Sequence, residues 1–202
     1  IGPFVFASTV ASYFPEFPRH LPEDAPQWPA NVYGATKVAV ERMGVWLKQS
    51  REFDFRCLRF PMVLSPFAPP TAMTAYPSHA FRAAANKERF VFPVTPDVGM
   101  STLFLDDVTR SIVEIAMADG ARLTQPAYNL HGFHVTAREI AEALRNRYQT
   151  FECGFEPEAA FVDLINGWPN ELVSAAATQD WDWHPAFDFA KTAEAMFRLF
   201  EA

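Results

Sequence analysis

Tyr33-Gly34-Ala35-Thr36-Lys37 stands between two apolar runs: Pro3-Phe4-Val5-Phe6-Ala7, ending in Ser8-Thr9, and Phe55-Arg56-Cys57-Leu58-Arg59-Phe60, halted by Pro61. Each run reads as a strand buried in a sheet, the first delivering its hydroxyls to a crevice at its C-terminal end. Between them the residues from Tyr13 to Pro29 carry five prolines and several charges, which no helix or central strand tolerates, so this passage reads as a loop. Asn31 then caps a helix reaching about Arg51. Ala35, Ala39, Met43 and Trp46 recur along it at three or four residues and are expected to form its buried stripe.

The same alternation continues outward. A proline-rich passage from Pro66 to Pro77 leads to a helix over Ser78 to Lys87, followed by short strands at Phe90 to Phe92 and Ser101 to Leu105. Asp106 is expected to cap a helix running to about Asp119 and closed by Gly120. Ala127 to Leu130 reads as a strand, and Thr136 with Glu139 forms a capping box for a helix to about Tyr148. The tail adds a strand near Phe151 and helices near Leu172 to Thr178 and Phe189 to Phe200. Strands alternating with helices indicate an α/β architecture with a largely parallel sheet.

Composition narrows the functional classes. The 202 residues are 50% apolar and 20% charged, which excludes disorder as the default and fits one compact unit or little more. A net charge of −7 without a basic run makes nucleic acid and anionic membrane surfaces poor partners. No stretch approaches the roughly 20 apolar residues a bilayer span requires, so the chain reads as soluble. Cys57 and Cys153 stand singly, as neither a disulfide framework nor a zinc spacing, which suggests a reducing cytoplasm. His131 and His134, three apart but without a third ligand, read as a strand-end turn, and no metal is expected. The 20 phenylalanines are expected in the core.

Four residues apart on a helix, Tyr33 and Lys37 lie one above the other on the same face. A free phenol titrates near pKa 10, which leaves it about 4 kcal/mol short of acting as a base at neutral pH, and a fixed positive charge nearby offsets part of that. Thr9, at the end of the first strand, can donate to an oxygen on which charge develops. Ser8 points to the opposite face of a strand and is kept in reserve.

The order of these features resembles the extended short-chain dehydrogenase/reductase family, the NAD-dependent epimerases, dehydratases and dehydrogenases: a Ser-Thr strand end lies 24 residues before Tyr33, and Leu58-Arg59-Phe60-Pro61 closes 24 residues after Lys37. Within it, the likeness is nearest to the short-chain type of L-threonine 3-dehydrogenases. It is carried also by Leu105-Asp106-Asp107, Ala127-Tyr128-Asn129-Leu130, and Gly167-Trp168-Pro169 ahead of Asp180-Trp181-Asp182-Trp183. The resemblance implies an incomplete Rossmann-type parallel sheet with flanking helices and a small C-terminal α/β substrate-binding region. Residues 1–66 would form the end of the Rossmann-type part, 67–100 a substrate-binding insertion, 101–131 a return to that core, and 132–202 the C-terminal region.

In function, the resemblance implies an NAD-dependent dehydrogenase of a small hydroxy substrate such as L-threonine. Tyr33 would be the acid/base, Lys37 the holder of the nicotinamide ribose and tuner of Tyr33, and Thr9 the group that orients the substrate oxygen. Backbone at Phe60, Pro61 and Val63 would lie against the nicotinamide, and Ser8, Met62 and Thr74 against substrate. Helices of this family, including the one bearing Tyr33, often join two subunits, so a homodimer is expected. Trp168, Trp181 and Trp183 read as core anchors, at least two of them.

Nucleotide-sugar members of the family carry an Arg shortly before the Asp-Asp helix start, where Met100-Ser101-Thr102-Leu103-Phe104 has no charge. A dehydratase would want an acidic residue beside Thr9, and Val10 is not one. The threonine dehydrogenases have Thr-Thr-Asp after the Pro61 strand. Here Pro69-Pro70-Thr71-Ala72-Met73-Thr74 offers Thr74 and no Asp, and Leu172-Val173-Ser174-Ala175 stands where those enzymes tend to carry an acidic pair. The eight glycines are too dispersed to form the turn that grips a dinucleotide pyrophosphate, and the chain opens at Ile1 in mid-sheet. The expectation is therefore the C-terminal portion of a longer enzyme, with an NAD-dependent nucleotide-sugar epimerase or dehydratase, or a non-catalytic association module, as the alternatives.

Overall fold

The computed structural model of the chain describes residues 2–13, 18–51 and 53–201. Residues 14–17 of the proline-rich passage lie outside the described residues, as do Ile1, Glu52 and Ala202. The first sheet has the order β1-β3-β7, all parallel, built from β1 (Phe4–Thr9), β3 (Phe55–Phe60) and β7 (Tyr128–Asn129). Its register sets Ser8 beside Arg59 and Thr9 beside Phe60. Pro61, which has no N–H to donate, ends the central strand. The chain then steps into a second sheet of order β4-β6-β8, formed by β4 (Met62–Leu64), β6 (Gly99–Phe104) and β8 (Phe133–Thr136).

Two parallel pairs complete the strands, β2 (His20–Leu21) with β10 (Glu171–Leu172) and β5 (Phe90–Phe92) with β9 (Cys153–Phe155). The molecule is thus mixed α/β with largely parallel pairing, as expected. The passage read wholly as loop contains β2.

Side chains alternate across β3 and decide which helix meets which face. On one face Phe55 and Arg59 meet α1 (Val32–Arg51); on the other Arg56 donates to the carbonyls of Ile115 (2.5 Å) and Ala118 (2.7 Å) at the end of α3 (Leu105–Met117). Asn31 caps α1, its Oδ1 accepting from the Gly34 N–H at 2.7 Å. The expected stripe of α1 is wrong in direction: Ala35, Ala39, Met43 and Trp46 are exposed, and the helix buries Gly34, Glu41 and Gly44. Close approach explains this. A Cβ on Gly44 would lie 2.3 Å from the Phe55 ring, so the helix seats on the sheet through missing side chains rather than bulky ones.

The helix α3 also differs from expectation, because it starts ahead of Asp106 with Phe104 at the N-cap and no side-chain cap. Asp107 has a different task. Wholly buried, it accepts the N–H groups of Ala186 and Phe187, both at 3.1 Å, and Nη2 of Arg110 at 2.7 Å, tying α3 to the C-terminal segment. The second core lies beyond β4 and β6, where α2 (Tyr76–Ala85), α4 (Ala137–Arg147), α5 (Ala159–Asn166) and α7 (Phe189–Glu201) pack Phe81, Phe92, Phe104, Phe161 and Phe197 together. The capping box of α4 is present as read. Trp181, ending α6 (Ala175–Trp181), and Trp183 join the first core with Leu58 and Tyr128.

Candidate active site

Parallel strands place ligands outside their carboxyl ends, and there a cavity of about 500 Å³ opens, bounded by Thr9 at the end of β1 and Pro61, Met62 and Val63 after β3. Tyr33 enters it from the first turn of α1, half exposed. That turn comes close because residue 34 is glycine: a Cβ there would lie 2.0 Å from the Ala11 carbonyl oxygen, in the 3-10 turn Val10–Ser12 that follows Thr9. The other walls come from the 3-10 turn Met73–Ala75, which bears Thr74, and from Leu164 and Trp168 at and after α5.

Of the residues read from sequence, the cavity unites Thr9, Tyr33, Pro61, Met62, Val63 and Thr74. Three lie elsewhere. Ser8 is buried and turned to the α1 side of the sheet, where its hydroxyl donates to Glu41; that corrects its reading as a substrate contact, since a strand sends neighbours to opposite faces. The Phe60 side chain is buried in the first core. Lys37 donates from Nζ to the Ala7 carbonyl at 2.8 Å, with its charge 5.5 Å from the centre of the Tyr33 ring.

Behind the cavity lies a polar cluster that sequence reading missed. Arg59 grips Glu41 with Nε at 3.1 Å and Nη2 at 2.7 Å, both side chains almost wholly buried. Arg59 Nη1 donates to the Tyr13 hydroxyl at 2.7 Å, Tyr13 donates to Asn129 Oδ1 at 2.6 Å, and Gln27 donates to Glu41 at 2.9 Å. Burial works against the Arg59 charge, but the Glu41 carboxylate prevails and holds the guanidinium above its ordinary value. Burial pushes the Tyr13 phenol up, so it stays neutral in the wall of the cavity. A signal was available: arginines inside a buried strand, here Arg56 and Arg59, demand buried partners.

Leu164 on α5 and Trp168, which reads from sequence as a core anchor, also line the cavity. His131 binds the Ser101 hydroxyl through Nδ1 at 2.7 Å, and among the described residues no group of three or more His, Cys, Asp or Glu is placed to hold a metal. Among the described residues no helix is long and apolar enough to cross a membrane.

The donors present fit one end of a nicotinamide dinucleotide. Thr9 and Tyr33 supply hydroxyls beside an otherwise mostly apolar wall of Pro61, Met62 and Val63, whereas none of the glycines forms a pyrophosphate turn.

The chain is similar to known proteins in both sequence and fold. The profile of the NAD dependent epimerase/dehydratase family matches residues 1–131. The mitochondrial L-threonine 3-dehydrogenase of Sus scrofa is 27% identical over 194 residues, 95% of this chain and 52% of that protein. Among solved structures, L-threonine dehydrogenase from Phytophthora infestans superimposes with a TM-score of 0.90 at 26% identity, covering 98% of this chain and 65% of the other. The UDP-N-acetylglucosamine 4-epimerase from Bacillus cereus shares the fold, with a TM-score of 0.81 at 20% identity, over 100% of this chain and 67% of that one. The chain spans about half the length of the curated threonine dehydrogenase it matches.

Proposed function

The chain belongs to the NAD dependent epimerase/dehydratase family, and on that premise we propose that it carries the proton-transfer half of an oxidoreductase acting on a small hydroxy compound such as L-threonine. The observation that carries the reading is the convergence of Thr9 and Tyr33 on one cavity at the carboxyl ends of β1 and β3. When bound, NAD+ supplies the hydride acceptor. Thr9 donates to the substrate oxygen and orients it. Tyr33 takes the hydroxyl proton as the carbon–oxygen bond becomes a carbonyl, and Lys37 would hold the nicotinamide ribose, with backbone at Phe60, Pro61 and Val63 alongside. Met62 and Thr74 would border the substrate.

We read the chain as the C-terminal portion of a longer polypeptide whose preceding part grips the pyrophosphate, in keeping with the dispersed glycines and the partial coverage of its relatives. A homodimer through α1 is supported by exposed Val32, Met43 and Trp46, and a cytoplasmic location by the two free cysteines.

The test is calorimetry with NAD on the full-length protein, followed by NADH production with L-threonine and related hydroxy acids and alcohols. Saturable binding with substrate-dependent NADH formation is expected. A folded protein that binds no NAD would instead be an association module, and turnover of a UDP-sugar alone would make it an epimerase; either result rejects the proposal.

A further inference from the structure

Tyr33, Lys37 and Glu41 follow one another at four-residue steps on α1, so three functional groups lie in a row on one face of the helix. The first reaches the cavity. The other two grip the end of β1 at consecutive residues, Lys37 at the Ala7 carbonyl and Glu41 at the Ser8 hydroxyl. Arg59 reaches Glu41 from β3, where it is the register partner of Ser8. The next residue along β1 is Thr9.

Beyond it the chain is held as well. The Thr9 side chain accepts the Ala11 N–H at 3.2 Å, and the carbonyl of Ala11 is the atom against which Gly34 packs. Tyr13, in the cavity wall, receives its hydrogen bond from the same Arg59. The end of β1 and the turn after it are thus tied to α1 at Lys37, Glu41 and Gly34.

Replacing a buried ion pair by apolar residues of similar volume is often neutral or stabilising, so stability alone is a weak reason for a carboxylate here. Position is a stronger one. The Glu41 carboxylate takes donors from Ser8 on β1, Arg59 on β3 and Gln27 in the loop, joining three segments at a single point behind the cavity.

We propose that Glu41 is a positioning residue for the proton-transfer site: by taking the Ser8 hydroxyl and the Arg59 guanidinium together it fixes the end of β1, and with it Thr9, against Tyr33. The proposal rests on the oxidoreductase reading above. Glu41 itself touches neither substrate nor cofactor, and Ser8 is its link to Thr9.

The test uses NAD-dependent kinetics of the full-length protein with Ser8→Ala, Thr9→Ala, the double variant and Glu41→Gln. Ser8→Ala removes the link while leaving the Arg59–Glu41 pair intact, so it keeps the test open if Glu41→Gln fails to fold. Ser8→Ala is expected to lower kcat about tenfold with KM within about twofold, since small misplacements at a reacting centre act on rate. In the double variant its effect should vanish, because Ser8 acts only through Thr9. Hydrogen exchange gives an arm independent of turnover: residues 7–11 of Ser8→Ala should exchange at least about tenfold faster while α1 keeps its protection.

An unchanged kcat, a rise in KM alone, effects of Ser8→Ala and Thr9→Ala that multiply, or unaltered exchange at residues 7–11 would each overturn the proposal. Failure of the underlying reading looks different. There Thr9→Ala and Tyr33→Phe would themselves leave turnover intact.

Discussion

Adding one methyl group at Gly34 tests whether the approach of α1 to the turn after Thr9 sets the site. The new Cβ would sit 2.0 Å from the Ala11 carbonyl oxygen and 2.7 Å from Cβ of Pro29, and the first of these is backbone that no rotamer change relieves. Restoring a carbon–oxygen separation of about 3.3 Å requires a shift of about 1.3 Å between helix and turn. Overpacking of this kind costs about 1–3 kcal/mol, while replacing glycine by alanine within a helix returns about 0.8–1 kcal/mol, so the net loss of stability is about 0–2 kcal/mol.

The effect on rate is larger, because a misplacement of about 1 Å at reacting groups costs about 100-fold. Gly44→Ala provides the control: it meets the Phe55 ring at 2.3 Å, in the core away from the cavity, and should lower stability without lowering kcat. Urea unfolding and NADH production together decide the matter. A folded Gly34→Ala protein with kcat within about threefold of its parent would refute the reasoning.

Other perturbations probe separate parts of the account. Arg59→Met should destabilise the fold by about 3–5 kcal/mol, and adding Glu41→Met should recover part of this; strictly additive losses by urea unfolding would show that the two side chains do not act as a pair. Burial holds His131 and His134 below the ordinary imidazole value. Because the unfolded chain then binds protons first, stability should fall as pH drops through about 6.5, and His131→Gln should flatten that decline. Equal slopes for the parent and His131→Gln would contradict it. Trp46→Glu, on the exposed face of α1, should convert a sedimenting dimer to a monomer whose unfolding midpoint no longer depends on protein concentration; a parent that already sediments as monomer removes the dimer proposal.

What was legible in the sequence was local chemistry. Asn31 and the Thr136–Glu139 pair announce helix starts because capping needs only neighbouring residues, and both caps are present. The face of α1 was not legible, since hydrophobic periodicity favours Met43 and Trp46. The helix instead meets the sheet at glycines and at a carboxylate whose partner lies 18 residues away. Two-residue strands such as β2 and β10 are too short to carry a period and exist only as a pair. Of the site, Thr9 and Tyr33 could be read from spacing; Leu164, Trp168 and the Arg59–Glu41–Tyr13 cluster depend on tertiary contacts between distant segments.

The most direct measurement is hydride transfer to NAD by the full-length protein bearing Tyr33→Phe, with cofactor affinity determined in parallel by calorimetry. If the phenol moves the proton, turnover falls by about 100- to 10,000-fold while NAD binds within about threefold of the parent. Near-parental turnover in that variant would contradict the assignment on which the site is built.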